Sequence, residues 1–268
     1  MPELPEVETV RRTLEGMIAG CRIEEIEIRY PKMIECGCEK FVSRLKGRSF
    51  QEFARRGKYL LFEMEDVILV SHLRMEGKYY VVDPSMPTDR HTHVIFALSD
   101  GRQLRYHDTR KFGRMDLLEK GADLTHFHDL GPEPFDEVFN GSYVYESLKK
   151  RKAPLKSCLL DQTFTAGIGN IYADEILSAC GLRPARSASR ITRKNADDIA
   201  AKTKEILAAA IAMGGTTIRS YTSSLGVTGL FQLSCSVHGK TECAVCGCPV
   251  KVRRIGGRSS YYCPVHQK

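Results

Sequence analysis

The sequence predicts an α+β protein: an N-terminal helix and an antiparallel β-sandwich, then a helical half that ends in a cysteine-framed β-hairpin. Three observations carry this. Apolar residues recur at helical spacing up to Gly20, short β-rich runs fill positions 22–118, and helical periodicity returns after position 154, ahead of paired cysteines. At 268 residues and 42% hydrophobic content, the chain can bury one large core or two ordinary ones.

The first helix is read from Leu4, Val7, Val10, Leu14, Met17 and Ile18, with Gly20 stopping it. Strands are expected over 22–30, 59–64, 67–73, 78–82, 93–98, 103–107 and 114–118, separated by turn signals such as Ser99-Asp100-Gly101. Gly131-Pro132-Glu133-Pro134 marks a linker. Helices follow over 156–161, 171–180 and 195–213, and the Ser/Thr/Gly-rich stretch 216–229 reads as a mobile loop. The division expected is a β-sandwich domain over 1–130, a linker over 131–152, a helical domain over 153–235 and the hairpin over 236–268.

Charge is unevenly placed. Forty Lys and Arg stand against 33 Asp and Glu, but residues 151–268 hold 17 basic and only 7 acidic side chains. A polyanion met mainly by the C-terminal half would suit that imbalance. No apolar run approaches the roughly 18 residues a membrane helix needs, and the acidic start Met1-Pro2-Glu3-Leu4-Pro5-Glu6 lacks the basic and apolar regions of a secretory signal. A reducing cytoplasm would leave the ten cysteines as thiols or metal ligands. Cys21, Cys36, Cys38, Cys158 and Cys180 are scattered and read as ordinary thiols.

The other five crowd into residues 235–263. Cys243 and Cys246, then Cys263 and His266 after 16 intervening residues, have the spacing of a structural zinc site. A tight turn aims each pair at one tetrahedral ion, and the residues between have the length of a hairpin. A segment this small cannot bury enough apolar surface to fold unaided, so one Zn²⁺ would supply the folding energy. Cys248 is the alternative to His266. Lys251, Arg253, Arg254 and Arg258 lie in the hairpin with no acid among them, which suits phosphate.

Removal of Met1 would leave the secondary amine of Pro2 as the chain terminus. An α-amino group titrates near ~7.7–8.0, and a helix N-terminus, equivalent to roughly +0.5 charge, disfavours its ammonium form. Such an amine can form a Schiff base, with Glu3 beside it as acid or base. Taken alone, Pro and Glu are equally ordinary first-turn residues.

The run Met1-Pro2-Glu3-Leu4-Pro5-Glu6-Val7-Glu8 resembles the N-terminal signature of the formamidopyrimidine-DNA glycosylases, which repair oxidised purines. Further blocks agree in order: Arg56-Gly57-Lys58-Tyr59-Leu60, Ser71-His72-Leu73-Arg74-Met75-Glu76-Gly77, Asp108-Thr109-Arg110-Lys111-Phe112-Gly113, Leu159-Leu160-Asp161-Gln162, the stretch 166–175, and the cysteine hairpin. The resemblance spans nearly the whole chain. It implies a catalytic sandwich domain, a helix–two-turns–helix domain and a zinc hairpin, with damaged double-stranded DNA running between the domains, in a monomeric bacterial cytoplasmic enzyme that works on the nucleoid.

The same resemblance implies the roles of individual residues. Pro2 attacks C1′ of a flipped nucleotide, Glu3 is the proton donor, and β- and δ-elimination follow, with Lys58 and Arg258 as the respective proton donors. His72, His91, Lys156 and Asn170 would contact DNA, and Asn170 suits a helix N-cap. Met75 and Phe112 would be apolar wedges and Arg110 the partner of the orphaned base; without the resemblance, the first two read as core strand residues.

Two positions depart from the family pattern: His266 stands where Cys is common, and His238 where Tyr is frequent. The sister endonuclease VIII type, which acts on oxidised pyrimidines, is the alternative, but it usually has Gly in place of Leu4. A non-enzymatic zinc protein that binds DNA is the other alternative.

Overall fold

A computed structural model describes residues 1–122, 129–216 and 229–268. The chain divides into one unit of Met1–Asp123 with Thr216–Gly229, and another of Leu124–Gly215 with Leu230–Lys268. Thr216 thus belongs with the first unit, where the expected division put it in the helical domain. Between Thr216 and Gly229, the predicted loop lies outside the described residues.

The first unit begins with α1 (Leu4–Ile18), whose Leu4, Val7, Val10, Leu14 and Ile18 are all buried. Its start is a capping box between Glu3 and Glu6, with Glu3 N donating to Glu6 Oε2 at 2.8 Å. Two four-stranded antiparallel sheets follow. One has the order β1 (Ile23–Ile28), β6 (Thr92–Leu98), β7 (Gln103–His107), β5 (Lys78–Val82); the other runs β2 (Glu52–Arg56), β3 (Tyr59–Glu63), β4 (Val67–His72), β8 (Arg114–Glu119). Their inner faces share one core with α1, in which Phe50, Phe53, Phe62, Tyr79 and Tyr106 form a chain of tilted and edge-on ring contacts.

Seven strands fall within two residues of their expected bounds. The helix α2 (Cys38–Leu45) and strand β2 were not expected. α2 places Cys38, Phe41, Val42 and Leu45 at helical spacing but lasts only eight residues, too short a run to stand out, and β2 buries only Phe53 among charged neighbours, so it shows no alternation. β2 is an edge strand, where such charges guard against pairing with other chains.

The second unit is helical: α3 (Gly141–Lys149), α4 (Leu155–Leu160), α5 (Asn170–Ala179), α6 (Arg193–Ala212) and the short α7 (Phe231–Ser234). α3 lies inside the expected linker. Asn140 caps it by accepting from Tyr143 N at 3.0 Å, and Val144 and Leu148 are buried. α6 starts on a second capping box, Thr192 with Asn195. The antiparallel hairpin β9 (Lys251–Ile255) and β10 (Arg258–Tyr262) turns through Gly256 and Gly257 at φ 54° and 77°, the positive pair that a two-residue hairpin loop requires. Among the described residues no helix is long and apolar enough to cross a membrane.

Lys156 is not available to DNA as expected. It is fully buried, its Nζ lying 2.7 Å from Asp174 Oδ1 and 2.8 Å from Ser259 O, so the ammonium ties α4 to α5 and β10. Asp174 Oδ2 also holds His238 Nδ1 at 2.8 Å and Tyr261 N at 3.2 Å, while Glu175 accepts from the backbone N–H groups of Ser236, Val237 and His238. Replacing Lys156 by Met would leave a buried carboxylate without its ammonium. The variant is expected to lose about 3–5 kcal/mol of stability, measured by urea denaturation; a wild-type midpoint would contradict the assignment.

Candidate active site and metal centre

The N-terminus is held at the head of α1. Pro2 is buried and Glu3 is 2% exposed, fixed by the capping box. Burial pushes the terminal amine, here on Met1, below its ordinary value; Lys58 acts in the same direction, against Glu3, Glu6 and Glu76. Lys58 follows Gly57 in the two-residue turn between β2 and β3, yet it is only 6% exposed. An amine that sheds its proton easily, an acid and a buried cation therefore share one corner of the first unit.

Glu6 was not singled out from the sequence. One of its oxygens holds Glu3 N, and the other accepts from Thr216 N at 2.7 Å and Thr216 Oγ1 at 3.0 Å. Its spacing of three from Glu3, the capping-box interval, is the signal that could have found it.

His72 ends β4 and is buried; its Nδ1 accepts from Arg74 N at 2.9 Å, and its ring stands edge-on to Tyr59. Beyond it, Met75 is half-buried in a turn. Arg110 and Phe112 lie in the loop between β7 and β8, both exposed, with the guanidinium 4.8 Å from the Phe112 ring centroid. Neither Met75 nor Phe112 is a core strand residue. His91 precedes β6, and its carbonyl accepts from Asp108 N at 2.9 Å. Asp89 organises this segment: burial raises its pKa, but bonds from His107, His91 N and Thr92 hold it at about 2.

In the second unit, Arg258 is exposed at the start of β10 beside the hairpin turn. Asn170 is the first residue of α5 and not its cap, which is Gly169. Its Oδ1 is buried and accepts no hydrogen bond, and no side chain caps the helix.

The sulfurs of Cys243, Cys246 and Cys263 lie within 4.8 Å of one another. Three converging thiols are the donor set of a structural zinc site, so these residues fit the ion. His266 and Cys248 both stand outside this group. His266 Nε2 bonds Ser178 O at 2.8 Å, while Gln267 pins the turn through Cys263 N and Leu182 O. With Nε2 donating to that carbonyl, Nδ1 is the nitrogen left with a lone pair.

Residues 1–115 match the formamidopyrimidine-DNA glycosylase N-terminal domain, and residues 130–222 match the formamidopyrimidine-DNA glycosylase H2TH domain. The formamidopyrimidine-DNA glycosylase of Bacillus licheniformis is 44% identical over 274 residues, covering 100% of both chains. That of Streptococcus pneumoniae is 45% identical, covering 100% of this chain and 99% of its own. A solved complex of the Lactococcus lactis enzyme with DNA containing an abasic site superposes with a TM-score of 0.94 at 41% identity, covering 99% of each chain. A mutant of that enzyme bound to DNA containing Fapy-dG gives a TM-score of 0.95 at 41% identity over 100% of both chains. From its first helix to its cysteine hairpin, this chain belongs to the formamidopyrimidine-DNA glycosylase family.

Proposed function

We propose that this DNA glycosylase of base excision repair removes oxidised purines, 8-oxoguanine and formamidopyrimidines, through a Schiff base on Pro2, and then cleaves the strand by β,δ-elimination. The observation that carries the reading is the burial of Pro2, Glu3 and Lys58 at the head of α1, where desolvation also weakens the hold of the terminal amine on its proton. Once Met1 is removed, the same burial acts on the Pro2 amine. The neutral amine attacks C1′ of a flipped nucleotide, the C1′–base bond breaks, and the opened sugar remains on Pro2 as an iminium. Glu3 protonates the ring oxygen as the sugar opens. The iminium acidifies the C2′ proton, which passes to water as the C3′–O bond breaks and the 3′ phosphate leaves by β-elimination; the conjugated iminium then loses the C4′ proton to water as the C5′–O bond breaks and the 5′ phosphate leaves by δ-elimination, with Lys58 and Arg258 as the respective proton donors to the departing phosphates.

Met75 and Phe112 fill the space the nucleotide vacates, and Arg110 bonds the orphaned base; the exposure of Phe112 supports this, because an aromatic ring left in water gains by entering a base stack. His72, His91 and Asn170 contact phosphate. Cys243, Cys246 and Cys263, completed by His266 or Cys248, would hold one Zn²⁺, which when bound contributes folding energy to the hairpin. The substrate is double-stranded DNA carrying oxidised bases or abasic sites, as in the Lactococcus lactis complexes.

Borohydride added to protein with a duplex carrying 8-oxoguanine opposite C should trap a crosslink that maps to Pro2 and disappears in Pro2→Gly. A crosslink elsewhere contradicts the mechanism, and preference for an oxidised pyrimidine transfers the chain to the endonuclease VIII type. Glu3→Gln should slow excision by about 10²–10⁴-fold. Because a lowered amine pKa leaves a larger free-base fraction near neutral pH, single-turnover excision should rise with pH through an inflection below that of the N-terminal proline amine of a short unstructured peptide; an inflection at or above the peptide's contradicts the burial argument. Chelation of zinc should abolish DNA binding, and metal stoichiometry should fall in whichever of His266→Ala and Cys248→Ser removes the fourth ligand.

A further inference from the structure

We infer that the turn at 73–77 and the loop at 108–113 form one pre-built block, with Tyr106, Asp108 and Thr109 as its positioning residues for base eversion; this rests on the void-filling reading of Met75, Arg110 and Phe112 above. Four observations combine. Asp108 is fully buried, and its carboxylate accepts from three backbone N–H groups of the loop: Arg110 at 2.9 Å, Phe112 at 3.0 Å and Gly113 at 2.8 Å. One side chain therefore fixes the path on which both Arg110 and Phe112 ride.

The turn that carries Met75 is built separately. Gly77 N donates to Leu73 O at 2.9 Å, and Arg74 takes a left-handed φ of 53°, as Lys111 does in the other loop at 58°. Such conformations in non-glycine residues persist only where the surroundings impose them.

Both segments then rest on one ring. A Cβ at Gly77 would stand 2.9 Å from Tyr106 Cζ, and one at Gly113 would stand 2.8 Å from the same atom. The absence of a side chain at both positions lets the two backbones close over the buried Tyr106. Finally, Thr109 Oγ1 donates to the Glu76 carboxylate, which ties one segment directly to the other. Met75 and Phe112 thus hold a preset separation, and their insertion into DNA does not require the loops to be ordered at that moment.

Thr109 is exposed, so Thr109→Val removes the tie without touching the core. Single-turnover excision of 8-oxoguanine from duplex should slow roughly tenfold, as expected when one positioning hydrogen bond is lost. Cleavage of a pre-formed abasic site has no base to evert and should stay within about twofold. Thr109→Ser should restore excision. Gly113→Ala, which crowds Tyr106, should show the same split, and 2-aminopurine placed opposite the lesion should report slower void filling in both variants.

Excision equal to wild type in Thr109→Val and Gly113→Ala, or an equal fall in excision and abasic cleavage, would overturn the inference. Met75→Ala and Phe112→Ala serve as the reference. If they too excise normally, the void-filling reading fails; if they are slow while the Thr109 and Gly113 variants are normal, only the block is refuted.

Discussion

The first unit depends on how the chain enters α1. A helix start leaves backbone N–H groups without partners, and here Glu3 and Glu6 answer one another across the first turn while Pro5 occupies a position that needs no donor. That reciprocal cap is possible only if the residues before Leu4 are held in place. The constraint that stabilises the helix therefore also immobilises the terminus, and burial around it disfavours a charged amine. Helix stability and the proposed reactivity would then arise from the same few atoms, and the sandwich behind them supplies the wall against which Leu4, Val7 and Val10 pack.

The second unit meets a different difficulty. Its hairpin is nearly all exposed on β9 and bears four cations, so it has little apolar surface with which to dock. Attachment is instead polar and buried: Asp174 and Glu175, adjacent on α5, reach the hairpin and the segment before it through Lys156, His238 and backbone N–H groups. Low dielectric makes each of these bonds strong and makes the loss of any partner costly. Metal at the cysteines and charge at α5 would hold the two ends of the hairpin region.

Period and spacing made much of this visible beforehand. The strands of the sandwich alternate or run apolar, α1 and α6 repeat every three to four residues, and paired cysteines announce a metal. Where the apolar period ran for only two turns, as in α2 and α3, or rested on one residue, as in β2, it was too short to be read, although two buried side chains in each helix and Phe53 in β2 were enough for tertiary packing to fix them. The corner proposed as catalytic stands out in the sequence only through resemblance, because Pro, Glu and Lys near a helix start are commonplace. Lys156 shows the converse: a lysine in a basic half suggests an exposed cation, and only the fold reveals Asp174 opposite it. The orientation of the His266 imidazole likewise depends on Ser178, a residue distant in sequence that no spacing rule could bring forward.

The bond between Glu6 and Thr216 joins residues 210 positions apart. A chain made from its N-terminus thus releases the head of α1 early, but completes the hydrogen bonding of Glu6 there only after most of its length has been synthesised. The order of synthesis would keep an unfinished polypeptide from presenting the fully assembled corner, and a truncated product lacking the last fifth of the chain would lack it permanently.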